Sequence, residues 1–123
     1  MVARIAQLAL DVHDVHTQAR FWSEALGMRA DVGDDGDAKL YPPEEAPKSM
    51  PTIYLQGVQE AKRDKVRVHF DLRPEDGDVE GEVQRLLGLG ATKAEVGQTG
   101  QERFTVLADP EGNEFCVLHN DPR

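Results

Sequence analysis

Residues 108–119 read Ala-Asp-Pro-Glu-Gly-Asn-Glu-Phe-Cys-Val-Leu-His, and this stretch decides the fold of the chain. Its Asp-Pro at 109–110 and Gly-Asn at 112–113 are turn chemistry, because proline presets φ for a turn and glycine supplies the positive φ that closes a hairpin. The run before it, 103–107, is strand-like, and after the turn apolar and mixed residues alternate with a period of two. The stretch therefore predicts a hairpin whose second strand has one apolar face and one mixed face.

Length and charge limit what the chain can be. It has 123 residues, enough for one domain with a real core, and a formal net charge of −9. A negative chain repels a phosphate backbone and an anionic lipid surface, so we expect neither nucleic acid nor membrane as a partner. We expect no membrane span and no signal peptide, because long apolar runs are missing and the N-terminus lacks a basic segment before an apolar one. The single cysteine cannot form an internal disulfide, which suits a cytoplasmic location.

The first half of the sequence reads as one strand, one helix and three short strands. Alternation of apolar and mixed residues over 5–12 predicts the first strand. Asp14 can cap the helix that follows, and Gly27 is suited to end it. Shorter strand-like runs then occur at 28–32, 38–41 and 52–58.

The second half repeats this pattern. Residues 66–72 alternate like the first strand, a helix follows that ends near 89–90, and strand-like runs come at 92–96 and 103–108, before the second strand of the hairpin. A shift of 62 residues places Gln7 on His69. We therefore predict a single α+β domain, 1–123, built from two βαβββ modules, 1–60 and 61–123. The modules are expected to form one cupped mixed sheet with the helices on its convex face.

The chain resembles the vicinal oxygen chelate superfamily, in its glyoxalase-like branch, which also has bleomycin-resistance and extradiol-dioxygenase relatives. The resemblance covers nearly the whole chain and is carried by segments 5–10, 19–22 with 26–27, 68–72, 89–91 and 109–116. In metal-dependent relatives, four side chains from the first and last strands of each half hold one divalent ion inside the cup. The resemblance implies a small organic ligand in that cup and a homodimer.

Carried over by position, the four metal places are Gln7, Gln56, His69 and Cys116. Metal-binding relatives usually have glutamate at the last-strand positions, and neither Gln56 nor Cys116 supplies that carboxylate. Two amides, an imidazole and a thiol offer little negative charge to a hard cation. A softer ion such as zinc accepts a thiolate and a neutral imidazole, so no cofactor is certain and a divalent metal stays an open alternative.

Several further residues are candidates for the ligand site. His69 is the candidate acid/base, and its alternative role is a hydrogen-bonded residue in the wall of the cup. Cys116 is either a ligand or a small buried apolar residue. Asp71 and Glu114 lie two residues from these positions on the same strand faces, which leaves a shifted, carboxylate-rich site open. Without metal, Gln7 and Gln56 would hydrogen-bond a ligand. The remaining predicted contacts are Tyr54 in the cup and Arg67 toward an anionic ligand.

Three functional hypotheses follow from these residues. The first is a glyoxalase-like lyase, isomerase or oxygenase in which His69 transfers protons. The second is a non-catalytic protein of the bleomycin-resistance type that sequesters a small molecule, which the missing carboxylates favour. The third is a structural dimerising domain with a cup filled by side chains. The residues alone do not decide between enzyme and binding protein.

Overall fold

A computed structural model of the chain describes residues 1–95, 98 and 102–120. The chain divides into two compact units, Met1–Lys62 and Arg63–Arg123. The described residues of each unit form one four-stranded mixed sheet and one helix. The predicted α+β class and the repeated order of strand, helix and three strands are confirmed.

The first unit contains β1 (Gln7–Val12), α1 (Val15–Leu26), β2 (Arg29–Val32), β3 (Ala38–Tyr41) and β4 (Thr52–Gly57). Its strand order is β1-β4-β3-β2. The pair β1 and β4 is parallel, and the other two neighbouring pairs are antiparallel. The parallel pair brings the first and last strands of the unit side by side, so residues far apart in sequence share one sheet face.

Helix α1 forms where capping residues and an apolar stripe coincide. The Asp14 carboxylate accepts a hydrogen bond from the Thr17 N–H at 3.1 Å, and Gly27 ends the helix in the left-handed region at φ 65°. The helix packs against β2, β3 and β4. Trp22 is 2% exposed and meets Phe21 edge-to-face, with ring centroids 5.0 Å apart. Trp22 therefore belongs to the core of the first unit.

The second unit contains β5 (Asp71–Leu72), α2 (Val79–Leu89), β6 (Thr92–Lys93), β7 (Phe104–Ala108) and β8 (Glu114–Leu118). Its order, β5-β8-β7-β6, and its pairing directions repeat those of the first unit. The strand predicted over 92–96 is observed at Thr92–Lys93, and residue 96 lies outside the described residues. The same topology thus occurs twice in one chain.

The strand predicted over 66–72 is wrong for its first part. Only Asp71–Leu72 is a strand, and Val68, placed by alternation on an apolar face, is 77% exposed. The reason lies in the partner strand. Asp71 pairs with Cys116, and β8 begins only two residues earlier, at Glu114. Residues before about 69 therefore have no length of β8 beside them, and alternation alone does not make a strand.

The hairpin predicted from the turn chemistry is observed between β7 and β8, and its turn closes around a buried aspartate. The Asp109 carboxylate accepts hydrogen bonds from the N–H groups of Glu111 and Asn113, both at 2.9 Å, and from Asn113 Nδ2 at 3.0 Å. Gly112 takes the positive φ of 88° that this turn requires. Asp109 is 2% exposed, so one carboxylate satisfies the two buried donors of Asn113 and the half-buried N–H of Glu111.

Candidate functional site

The described residues of the second unit form a pocket of about 240 Å³ on the sheet face that carries Cys116. Cross-strand pairing explains its wall, because Val106 pairs with Cys116 and Phe104 pairs with Leu118 on the same side of the pleat. The intervening residues Phe115 and Val117 are buried on the opposite face. The pocket is lined by Lys65, His69, Asp71, Phe104, Val106, Glu114, Cys116 and Leu118.

Three side chains at one end of this pocket form a polar cluster, His69–Asp71–Cys116. His69 Nε2 lies 3.3 Å from Asp71 Oδ1, and the ligand atoms of all three residues lie within 4.8 Å of one another. The register of β5 against β8 produces the cluster, since Asp71 pairs directly with Cys116. Cys116 is 8% exposed, whereas the His69 and Asp71 side chains are 48% and 49% exposed. The cluster therefore has one fixed member and two that can rotate.

The electrostatics of the pocket disfavour a free thiolate. Burial raises the pKa of the Cys116 thiol, and the charge of Asp71 and a hydrogen bond with it raise that pKa further. Lys65 lowers it, as the smallest of the four contributions. The thiol alone is therefore protonated at neutral pH and is a poor nucleophile. One lysine stands against two carboxylates in the lining, those of Asp71 and Glu114, so with neutral His69 the formal charge is −1.

The candidates in the first unit share one face of its sheet. Gln7, Tyr54 and Gln56 all lie on the side opposite the buried Ile53 and Leu55. Gln7 Oε1 accepts a hydrogen bond from Thr52 Oγ1 at 3.0 Å, and Gln56 is exposed beside Asp11. The register of β4 thus places Gln56 on the same face as Gln7.

Tyr54 is held by Asp37, a residue that the sequence analysis did not identify as a candidate. Its hydroxyl donates to Asp37 Oδ2 at 2.5 Å, and the Gly57 N–H donates to Asp37 Oδ1 at 2.9 Å. These bonds lower the pKa of Asp37, with the Tyr54 bond the larger cause. The same bond raises the pKa of Tyr54 to about 12. Asp37 directly precedes β3, and this position next to a strand was the feature of the sequence that could have identified it as a candidate.

The Tyr54–Asp37 bond predicts a pH dependence. In the variant Tyr41→Phe, Tyr54 is the only tyrosine, and its phenolate absorbance should rise with a midpoint near pH 12. Adding Asp37→Asn should move that midpoint toward the ordinary value of 10. Because the folded pKa is raised, the stabilising bond is complete below pH 10 and is lost between about 10 and 12. An unchanged midpoint in the double variant would contradict this assignment.

Sequence reasoning missed half of the pocket lining. Lys65, Phe104, Val106 and Leu118 line the pocket, whereas the predicted Arg67 is exposed and does not line it. Val106 and Phe104 could have been predicted from the sequence. The turn fixes the register of the hairpin, and the register decides which residues share a face with Cys116. Lys65 could not have been predicted in this way, since it lies in a segment without regular structure.

Residues 7–118 match the model of the glyoxalase-like domain family. The chain belongs to this family. The assignment to the vicinal oxygen chelate superfamily is thereby confirmed, and both βαβββ units lie within the matched region. A comparison with curated proteins found no match. Among the described residues, no helix of this glyoxalase-like domain has the length and apolar character needed to cross a membrane.

Solved structures with this fold are distant in sequence. A glyoxalase/bleomycin resistance protein/dioxygenase family enzyme from Burkholderia phytofirmans is 15% identical, with a TM-score of 0.70, over 94% of this chain and 97% of that one. A mutant of the fosfomycin resistance protein FosX from Listeria monocytogenes, complexed with Mn(II) and dihydroxypropylphosphonic acid, is 12% identical. Its TM-score is 0.72, over 99% of this chain and 94% of that one. An integron cassette protein from the Halifax Harbour sewage outfall is 21% identical, with a TM-score of 0.61, over 94% and 97%. At these identities the likeness shows the fold alone.

The four residues that the resemblance assigns to metal positions do not fit a hard divalent ion. Gln7 and Gln56 are neutral amides, and Cys116 offers sulfur, whereas hard cations prefer several carboxylate oxygens. The Gln7 amide oxygen already accepts a hydrogen bond from Thr52. These four residues are therefore not a site for a hard catalytic cation.

Proposed function

We propose that this glyoxalase-like domain binds a small, uncharged organic molecule in the pocket of its second unit. The observation that carries the proposal is the division of that pocket into two parts. Phe104, Val106 and Leu118 form an apolar wall, and the His69–Asp71–Cys116 cluster supplies polar groups. Apolar walls with a few placed polar groups are the usual form of a small-molecule site.

The volume of the pocket limits the ligand. Sites for drug-sized ligands measure roughly 300–1,000 Å³, and this pocket measures about 240 Å³. It therefore suits a molecule of about one ring, or one arm of a larger ligand. Within the second unit, it does not enclose a compound as large as bleomycin.

The charge of the pocket selects against anions. Its carboxylates, Asp71 and Glu114, outnumber the single Lys65, and one Glu114 oxygen is shielded from solvent. A phosphonate such as the one named in the Listeria FosX structure would meet these carboxylates directly. A neutral ligand with hydroxyl groups would instead donate hydrogen bonds to them.

The paired His69 and Asp71 support acid–base chemistry on such a ligand. An imidazole held by a carboxylate accepts a proton at one nitrogen while the carboxylate stabilises the charge that forms. A carbon acid or hydroxyl placed against Cys116 would lie next to His69, the residue that takes or returns the proton. This supports a glyoxalase-like lyase or isomerase. The alternative, sequestration without reaction, is favoured by the neutral amides of Gln7 and Gln56 at positions where metal-dependent relatives carry ligands.

Catechol and the mercaptoethanol–methylglyoxal adduct are suitable neutral probes, with dihydroxybenzoate as the anionic match of catechol. We expect a neutral probe to raise the melting temperature of EDTA-treated protein, and dihydroxybenzoate to have a much smaller effect. Val106→Phe fills the pocket and should abolish the shift. The matched variant Val32→Phe, on an exposed strand of the first unit, should keep it.

Analysis of the recovered probe separates the two functions. A chemically changed probe identifies an enzyme, and an intact one identifies a binding protein. Equal shifts in wild type and Val106→Phe would place the ligand elsewhere and contradict the proposal. We further propose that the protein is a cytoplasmic homodimer. Sedimentation of the purified protein tests whether it forms a dimer.

A further inference from the structure

We propose that His69, Asp71 and Cys116 bind one divalent ion that prefers sulfur ligands, such as zinc. All three ligands belong to the second unit. This set shares only two residues with the four positions that the family resemblance implies. It replaces the two amides, Gln7 and Gln56, by the carboxylate of Asp71. The inference goes beyond the proposed function, which concerns the metal-free pocket: with the ion bound, His69 and Asp71 are ligands and no longer transfer protons.

The geometry of the cluster is close to that of a metal site. Tetrahedral zinc, with bonds of about 2.0–2.3 Å, places neighbouring ligand atoms roughly 3.4–3.6 Å apart. His69 Nε2 and Asp71 Oδ1 are already 3.3 Å apart, and no pair of ligand atoms in the cluster exceeds 4.8 Å. The widest separation in the cluster therefore exceeds the ligand spacing of zinc by at most about 1.4 Å, the difference between 4.8 and 3.4 Å. The half-exposed His69 and Asp71 side chains can close this difference by rotation while β8 holds Cys116 in place.

The donor set selects the type of ion. Sulfur, imidazole nitrogen and one carboxylate oxygen are the donors of zinc sites, whereas manganese and magnesium prefer oxygen ligands in larger number. Asp71 and a Cys116 thiolate together carry two negative charges, which balance a divalent cation. Binding requires that the Cys116 S–H bond breaks, a sulfur–metal bond forms, and the proton passes to solvent. Thus a thiol that is inert in the metal-free protein becomes a ligand only when a soft cation is present.

Three protein ligands leave one position of a tetrahedral ion open. Because the same three residues line the pocket with Val106 and Leu118, a water molecule or a ligand oxygen would be able to occupy that position. Structural zinc sites are closed by four protein ligands, and sites with three are those at which ligands exchange. With three protein ligands, the cluster would be of the second kind, and Glu114 is a further carboxylate in the lining of the same pocket.

Cobalt(II) titration of EDTA-treated protein tests the site directly. Cys116 is the only cysteine, so a thiolate-to-cobalt charge-transfer band reports on that residue alone. We expect the band to saturate at one cobalt per chain and to disappear on addition of one equivalent of zinc. Cys116→Ser should abolish the band, and Asp71→Asn and His69→Gln should each weaken zinc binding at least tenfold. Asp64→Asn removes a carboxylate next in sequence to Lys65 without removing a proposed ligand, and it should leave zinc binding within twofold of wild type.

Further variants separate this site from a family-type arrangement. Gln7→Ala and Gln56→Ala should keep both the band and the zinc affinity, and manganese should bind more weakly than zinc. Loss of the band in either glutamine variant would overturn the claim that the second unit alone supplies the ligands. Absence of the band in folded wild type, or tighter binding of manganese than zinc, would overturn the proposal. If catechol binds but the band is absent, the metal site is refuted and the proposed function is not. If the band appears but no neutral probe binds, the proposed function is refuted and the metal site is not.

Discussion

Replacing Asp109 by alanine should lower the free energy of unfolding by about 3–5 kcal/mol, measured by urea denaturation. The carboxylate accepts three hydrogen bonds in the turn, two of them from Asn113, which is itself buried. Alanine leaves these donors without their acceptor, and the two donors of Asn113 are buried. Each buried donor that loses its partner costs about 1–3 kcal/mol, so the losses add up to a large part of a domain's stability.

Asp109→Asn is the matched control for this substitution. The amide keeps one oxygen for the backbone N–H groups of Glu111 and Asn113 but removes the negative charge that strengthens those bonds. We expect a smaller loss, about 1–2 kcal/mol. Equal losses in the alanine and asparagine variants, or a loss below about 1 kcal/mol in Asp109→Ala, would show that the carboxylate does not organise the hairpin.

The variant Trp22→Ala should cost about 3–5 kcal/mol of unfolding free energy. Trp22 is 2% exposed on the face of α1 that packs against the first sheet, and its ring meets Phe21 edge-to-face. Alanine removes a large apolar surface and leaves a cavity that the neighbouring strands fill only in part. Urea denaturation followed by circular dichroism measures the loss, because the only tryptophan is removed.

Trp22→Phe separates burial from the specific shape of the indole. A smaller aromatic ring keeps most of the apolar contact, and we expect a loss of less than about 2 kcal/mol. A cost for Trp22→Ala near that of an ordinary surface substitution, about 0.5 kcal/mol, would contradict the placement of Trp22 in the core.

The parts of the fold that local chemistry specifies were predictable from the sequence. The turn around Asp109, the cap at Asp14 and the left-handed Gly27 each depend on residues within a few positions of one another. The repeat of strand, helix and three strands followed from periodicity. The strand prediction for residues 66–70 was wrong because strand formation there depends on the length of β8, a segment distant in sequence. Alternation reports which residues share a face but not whether a partner strand lies beside them.

Part of the candidate site was also predictable from the sequence. His69, Asp71, Glu114 and Cys116 were identified from strand faces and from the family resemblance, and all four line the pocket. Lys65 and Asp37 were missed because each lies outside the strands and acts through contacts that only the folded chain creates. The pairing of His69 with Asp71, two residues apart at the start of β5, depends on side-chain orientation and could not be read from spacing.

X-ray absorption at the zinc edge of protein loaded with one equivalent of zinc tests the central claim, that the second unit carries the functional centre at His69–Asp71–Cys116. We predict one sulfur at about 2.3 Å and nitrogen or oxygen ligands at about 2.0–2.1 Å, including one imidazole. Cys116→Ser should remove the sulfur contribution. A zinc environment without sulfur in the wild-type protein would contradict the claim.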